Sequence, residues 1–353
     1  MSLAAPDDLA DGWPVSALGD QGLDADLLAG IAPQFEAWAE ANVHAILIAR
    51  HGHLVYERYF AGDDQAWGRP LGRVACDASM LHDLRSITKS VTSLLAGIAF
   101  DRGWLVGLDT PVFDLFPEHR DLATPDSAAI TLRHLLTMSA GWSWSEDLPY
   151  SDARNSERQM IDAADPDRYV LARPLARPPG AAWIYNGGCT HLLASAVAHA
   201  AGRTLEDIVR DDFFAPLGIG PFEWVHHTSG QPMAASGLRL RPRDVLRIGQ
   251  LALDRGTWQG RPIVSGRWID ESLAPRVNGQ GLFFYGYHWW LGRSLVRGSE
   301  ITWAAGIGWG GQRLFVVPSH GLVVLVMAGL YDNPLLQPIP GEVVLRRYAL
   351  AAC

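Results

Sequence analysis

At 353 residues, 48% hydrophobic and 19% charged, the chain carries enough apolar side chains for one large globular domain or two lobes. Its formal net charge of −9 and pI near 5.7 exclude electrostatic attraction to nucleic acid or to an anionic membrane, and its longest apolar run, residues 321–331, has the length of a buried strand rather than a membrane span. Three widely spaced cysteines, Cys76, Cys189 and Cys353, fit neither a metal-ligand pattern nor a disulfide framework, and the opening MSLAAPDDLADGWP shows no basic or apolar leader region, so a reducing, cytoplasmic setting is expected.

Residues 24–41 space their apolar positions as a helix does, and the chain then runs through HAILIAR, HGH and LVYERYF, which reads as a hairpin with Gly52 at its turn. From Ser86 to about Leu253 helical patterns dominate: SITKSVTSLLAGIAFDRG, LRHLLTMSAG, HLLASAVAHAAGRTLEDIVRDDFF and PRDVLRIGQLALDRG, separated by Pro/Gly-rich loops. Strand patterns return in YGYHWWLGR, GGQRLFVVP and GLVVLVMAG, and a short helical stretch, GEVVLRRYALAA, closes the chain. The expectation is an α+β protein whose sheet is assembled from both termini. Residues 1–84 and 255–353 would form an α/β lobe, residues 85–254 an inserted all-helical lobe, and the cleft between them a site.

Arginine supplies every cationic side chain but one: the chain has 28 arginines and a single lysine, Lys89. A guanidinium stays protonated in proteins, whereas an ammonium can serve as a base once its pKa is lowered. Ser86 stands three residues before Lys89, on the same face of a helix, which makes Ser86-Ile87-Thr88-Lys89 a candidate nucleophile with its activator. A Ser-x-x-Lys tetrapeptide alone is weak, its plain reading being a solvated lysine, but solvated positions in this chain are filled by arginine.

The stretches DLRSITKSVTSLLAGIAFDRGWLVGLDTPV and LRHLLTMSAGW resemble the serine beta-lactamase-related hydrolases: penicillin-binding DD-peptidases, class C beta-lactamases, and their esterase-like and 6-aminohexanoate-dimer-hydrolase-like branches. The resemblance spans nearly the whole chain and implies the beta-lactamase/transpeptidase-like fold, an antiparallel sheet from both termini beside a helical lobe. It implies Tyr185, in PPGAAWIYNGGC, as the second-motif tyrosine. The asparagine usual two residues later is replaced by Gly187, which leaves neighbouring Asn186 as the available amide. It implies a third motif at Gly306-Ile307-Gly308, with Trp309, or Ile307 in a shifted register, donating a backbone N–H to the oxyanion. No lysine or histidine occurs there, which disfavours beta-lactams and peptidoglycan peptides, whose carboxylate that cation normally meets.

The implied reaction is acyl transfer on a small ester or amide, with Ser86 as nucleophile, Lys89 and Tyr185 as a coupled base, and no metal or cofactor. Alternatives are a beta-lactamase or DD-peptidase, and an idle binding protein on the same fold. Nothing in the sequence specifies an oligomeric state. The loop from Ser139 to Asn155, with Trp142, Trp144 and Tyr150, reads either as an aromatic lid or as plain packing, and Trp183 and Trp309 fall beside the motifs; Tyr150 and Trp309 are the candidates for substrate contact. His51-Gly52-His53 and His226-His227 read as surface histidines, Cys189 as a small buried residue, and Glu206-Asp207 and Asp211-Asp212 as solvated helix faces. The Gly-x-Ser-x-Gly elbow of the α/β-hydrolases is absent from the sequence.

Overall fold

The computed structural model describes residues 4–353. Val, Ile and Leu make strands where they alternate across a sheet, and β1 (Val43–Arg50) and β2 (His53–Tyr59) form the expected hairpin, with His51 and Gly52 both at positive φ in its turn. A second hairpin follows, β3 (Ala61–Ala66) and β4 (Arg69–Ala75). Its exposed polar residues gave no strand pattern to read. β5 (His82–Asp83) leads toward Ser86 and pairs with β7 (Leu238–Leu240), which also pairs with β6 (Glu223–Trp224). The middle of the chain is therefore mainly helical but stitched to the rest by a three-stranded ribbon.

After the small ribbon β8 (Thr257–Trp258) and β9 (Arg261–Pro262), the chain enters β10 (Val277–Asn278), β11 (Phe284–Tyr285), β12 (Trp290–Val296), β13 (Ser299–Gly308), β14 (Gln312–Val317) and β15 (Leu322–Ala328). With β1 and β2 these form one antiparallel sheet in the order β10-β11-β12-β13-β14-β15-β1-β2. The sheet is thus closed by the N-terminal hairpin pairing onto the last strand, as the patterns at the two ends of the sequence imply. The strand expected at YGYHWWLGR is interrupted: Tyr285 ends β11, and β12 begins only at Trp290. Gly286 lies against the end of the helix at Gly266–Ser272, where an added Cβ would fall 2.0 Å from the Ser272 carbonyl oxygen, and His288 sits at φ 60°.

Both faces of the sheet are buried. On one, Ile46, Ile48, Val324 and Val326 meet the N-terminal helices Ala25–Ala29 and Ile31–Glu36 and the C-terminal Val344, Leu345 and Tyr348. On the other, Leu47, Leu314, Val323 and Leu325 meet α1 (Ile87–Asp101) and α3 (Pro242–Leu253), with α2 (Gly187–Ala201) packed beyond α1. Residues 87–99 of α1 are all buried, as a helix surrounded on every side requires. Gly249 brings α3 onto the strands, since an added Cβ would be 2.6 Å from Val323 Cγ1. This helix lies within the range 85–254 yet rests on the sheet. None of the helices among the described residues is long and apolar enough to cross a membrane.

Candidate functional site

The site grows from the turn between β5 and α1. Arg85 adopts a left-handed conformation (φ 50°), an uncommon state for a side chain of its size. It is held there by Asp83, 3.1 Å from its guanidinium, and by stacking over Trp67 and Tyr331 at 4.2 and 5.1 Å. This turn sets Ser86 at the N-cap of α1 without using its side chain as a cap, so the hydroxyl is free for other partners. β13 passes close by: an added Cβ at Gly308 would meet the Leu84 carbonyl oxygen at 2.3 Å, and one at Gly306 would meet Ile87 at 3.2 Å. The β12 ladder ends at Ala305 while the β14 ladder continues to Gly308, so β13 runs past the turn with its β12-side edge open from Gly306 onward.

Lys89 is 1% exposed and its three N–H groups have three acceptors: Ser86 Oγ at 3.0 Å, Glu146 Oε1 at 3.1 Å and the Ala235 carbonyl at 3.2 Å. Burial alone would lower the pKa of this amine, but Glu146, Tyr185 and Glu157 outweigh it, so the group is held above its ordinary value as an ammonium. Its nitrogen lies 4.7 Å from the centre of the Tyr185 ring. Burial pushes the Tyr185 phenol up, against the pull of Lys89 and of hydrogen bonding with Ser86 and Lys89. The ring is clamped by Trp183 and Trp290, with centroids 5.8 and 5.6 Å away.

Glu146 was not read from the sequence. Besides Lys89 it accepts from the Gly187 N–H at 2.6 Å and from Trp144 Nε1 at 2.8 Å, and an added Cβ at residue 187 would come within 3.0 Å of Oε2. The carboxylate therefore stands beside the position where the resemblance leads one to expect an asparagine side chain. Gly187, missing that side chain, was the signal in the sequence. Burial and Glu157 raise the pKa of Glu146, while Lys89, the Gly187 N–H and Trp144 oppose the rise. Asn186 is 2% exposed and its Oδ1 caps α2 at the Cys189 N–H.

Tyr150 reaches a cleft of about 470 Å³ bordered also by Trp67, Arg85, Glu146, Trp309 and Tyr331. Its hydroxyl donates to Glu157, whose other oxygen accepts from Ser236 at 2.7 Å. Trp309 is 43% exposed at the cleft, with Nε1 on the Tyr331 carbonyl at 3.0 Å, and Ile307 packs against the aromatic cluster around Tyr285 and Trp290. An aromatic lid does not form from the whole loop: Trp142 is fully buried and Trp144 serves Glu146; beyond the loop, Trp183 belongs to the cluster around Tyr185.

Two readings made from neighbouring residues need correction. His227 is buried beside His191, which pairs with Asp167 at 3.0 Å; only His226 is partly exposed, 3.3 Å from Glu206. Asp212 is not a solvated charge, because Arg102 and Arg203 enclose it. Cys189 is buried, and burial pushes its thiol up.

The sequence model of the beta-lactamase family matches residues 35–334. An esterase, EstB, from Burkholderia gladioli is 31% identical over 181 residues, which make up 49% of this chain and 44% of that protein. A 6-aminohexanoate-dimer hydrolase from Paenarthrobacter ureafaciens is 24% identical over 330 residues, covering 87% of this chain and 78% of that one. Among solved structures, simvastatin synthase from Aspergillus terreus superposes with a TM-score of 0.67 at 19% identity, covering 92% of this chain and 100% of that one.

Proposed function

Because the chain belongs to the beta-lactamase family, we propose that it is a serine hydrolase that cleaves small esters or amides through an acyl-enzyme on Ser86. The observation that carries this reading is the 3.0 Å contact between Lys89 Nζ and Ser86 Oγ, inside a cluster that also contains the Tyr185 phenol.

As Ser86 Oγ bonds to the acyl carbon, its proton must leave. Lys89 and Tyr185 both carry protons at rest, and the anion touching Lys89 is Glu146, 3.1 Å away. Lys89 gives one of its protons to Glu146 as it accepts that of Ser86. The Tyr185 hydroxyl then protonates the departing oxygen or nitrogen and is recharged through Lys89 from Glu146. The backbone N–H groups of Ser86 and Trp309 hold the oxyanion, each such donor typically contributing about 3–4 kcal/mol. Water, deprotonated by the same route, bonds to the acyl carbon, and the proton returns through Lys89 to Ser86 Oγ as that oxygen departs.

Substrates without a carboxylate next to the scissile bond fit best. The β13 segment Gly306–Gly308 offers no cation, and the nearby Arg85 is engaged by Asp83. The three free cysteines suit a reducing, cytoplasmic setting. The test is a panel of p-nitrophenyl esters of graded acyl length beside short amides and nitrocefin, with fluorophosphonate labelling of wild type and Ser86→Ala. Ester turnover with label on Ser86 supports the reading. Nitrocefin as the best substrate moves the assignment to a beta-lactamase, and absence of both labelling and turnover to an idle scaffold.

A further inference from the structure

His44 on β1, Asp64 on β3 and His82 on β5 are brought together by the fold from three separate strands, and all three are buried. His44 Nδ1 is 2.8 Å from His82 Nε2, and Asp64 Oδ1 is 3.8 and 3.7 Å from those same atoms. A triangle with these sides has its centre about 2.0 Å from every corner, inside the figure, which is the bond length Zn²⁺ makes to imidazole nitrogen and carboxylate oxygen. The second nitrogen of His82, Nδ1, lies 3.1 Å from the Asp83 carbonyl oxygen. That contact puts the proton on Nδ1 and turns the Nε2 lone pair inward, as in histidines that bind metals.

The rest of the cluster lacks a positive partner. Neither oxygen of Asp64 has a hydrogen-bond partner, although its side chain is 0% exposed, and His44 Nε2 is also without one. The two guanidiniums of this region, Arg85 and Arg239, go to Asp83 instead. A proton shared between the two imidazoles would settle their own contact but would leave the carboxylate with no donor. A dication at the centre meets all three groups at once.

We propose that His44, Asp64 and His82 bind one divalent transition-metal ion of the Zn²⁺ type, with solvent completing its coordination. Its role is to fasten the backbone. His82 stands four residues ahead of Ser86, and β3 belongs to the hairpin whose turn residue Trp67 stacks on Arg85 and gives its N–H to Asp83 at 2.9 Å. The ion thereby ties the sheet, the hairpin and the strand leading into the Ser86 turn, without touching the acyl group.

The test uses the full chain, stripped with EDTA, dialysed and titrated with ZnCl2 by calorimetry, with bound metal counted by mass spectrometry. One equivalent per chain and a raised melting temperature are expected. Asp64→Asn and His82→Gln should each weaken binding by at least about ten-fold, whereas His227→Gln, at the other buried histidine pair, should not. No stoichiometric uptake by the wild type, or uptake unchanged in both Asp64→Asn and His82→Gln, overturns the proposal. Should those variants fail to fold, X-ray absorption of the zinc-loaded wild type decides: two imidazoles with an oxygen shell support the site, and a sulfur shell or a single imidazole defeats it.

Discussion

Lys89 and Asp64 are both fully buried ionisable residues near the same turn, yet their surroundings are opposite. Each N–H of Lys89 has an acceptor, and its charge has a counter-charge in Glu146 at 3.1 Å. Neither oxygen of Asp64 has a donor, and the imidazoles 3.8 and 3.7 Å from its Oδ1 are in contact with each other. A balanced cluster is complete in the chain itself and can be poised for proton movement. The unbalanced one calls for a cation from outside.

Lys89→Arg keeps the charge but removes the capacity to pass a proton, and should lower kcat/KM on an active ester by about two orders of magnitude or more. Wild-type turnover would reduce Lys89 to a neutral-making counter-charge. Tyr185→Phe keeps the ring between Trp183 and Trp290, so the fold should survive while acylation, followed as a pre-steady-state burst, slows by roughly a hundred-fold. An unchanged burst would assign the whole relay to Lys89 and Glu146.

These two residues were legible for local reasons. Ser86 and Lys89 are one helical turn apart, and the lone lysine in an arginine-rich chain marked itself; Tyr185 follows a Pro-Gly turn ahead of a helix. Glu146 was not legible, because its contacts to Lys89 and the Gly187 N–H span 57 and 41 residues and exist only after folding. An asparagine before a helix reads equally as a ligand or as a cap, and in the fold the Asn186 Oδ1 is a cap. In the fold, the apolar runs at the two ends specified the sheet. β13 escaped because Ala304, Ala305 and Gly306 have weak strand preference of their own; their extended form is imposed by ladders on both sides of Ala304 and Ala305 and by the β14 ladder at Gly306. The His44–Asp64–His82 cluster has no sequence spacing at all.

Glu146→Gln makes the lysine as unbalanced as Asp64. Removing one partner of a buried ion pair should cost about 3–5 kcal/mol of stability near neutral pH. The pH dependence should also change. In the wild type the lysine is raised above its ordinary 10.5, so its stabilising contribution is full below that pH and is lost as pH rises through the folded value. Without the carboxylate, burial is opposed only by Tyr185 and Glu157 and the folded value drops; once it lies below the unfolded one, the variant gains stability as pH rises toward 10.5. Urea unfolding between pH 8 and 10.5 reads this against a wild type whose lysine contribution is flat in that window, and parallel slopes would show that Glu157 holds the ammonium without Glu146.

The smallest effect separates a buried histidine that is satisfied from one that is not. His288 is buried behind the site, with Nε2 3.1 Å from the Leu135 carbonyl oxygen and Nδ1 3.3 Å from Thr190 Oγ1. Burial, helped by the Lys89 charge, lowers its pKa from 6.5 to about 3. The unfolded chain therefore takes up a proton below pH 6.5 where the folded chain does not, and stability falls as pH drops from 6.5 toward 3. Between pH 7 and 5 this histidine alone should remove about 1–2 kcal/mol, a window in which ordinary carboxylates change little. His288→Asn should flatten the fall by that amount in urea titrations at the two pH values. An equally steep fall in the variant would mean that His288 carries its proton in the folded chain, and that the charge on Lys89 does not reach it.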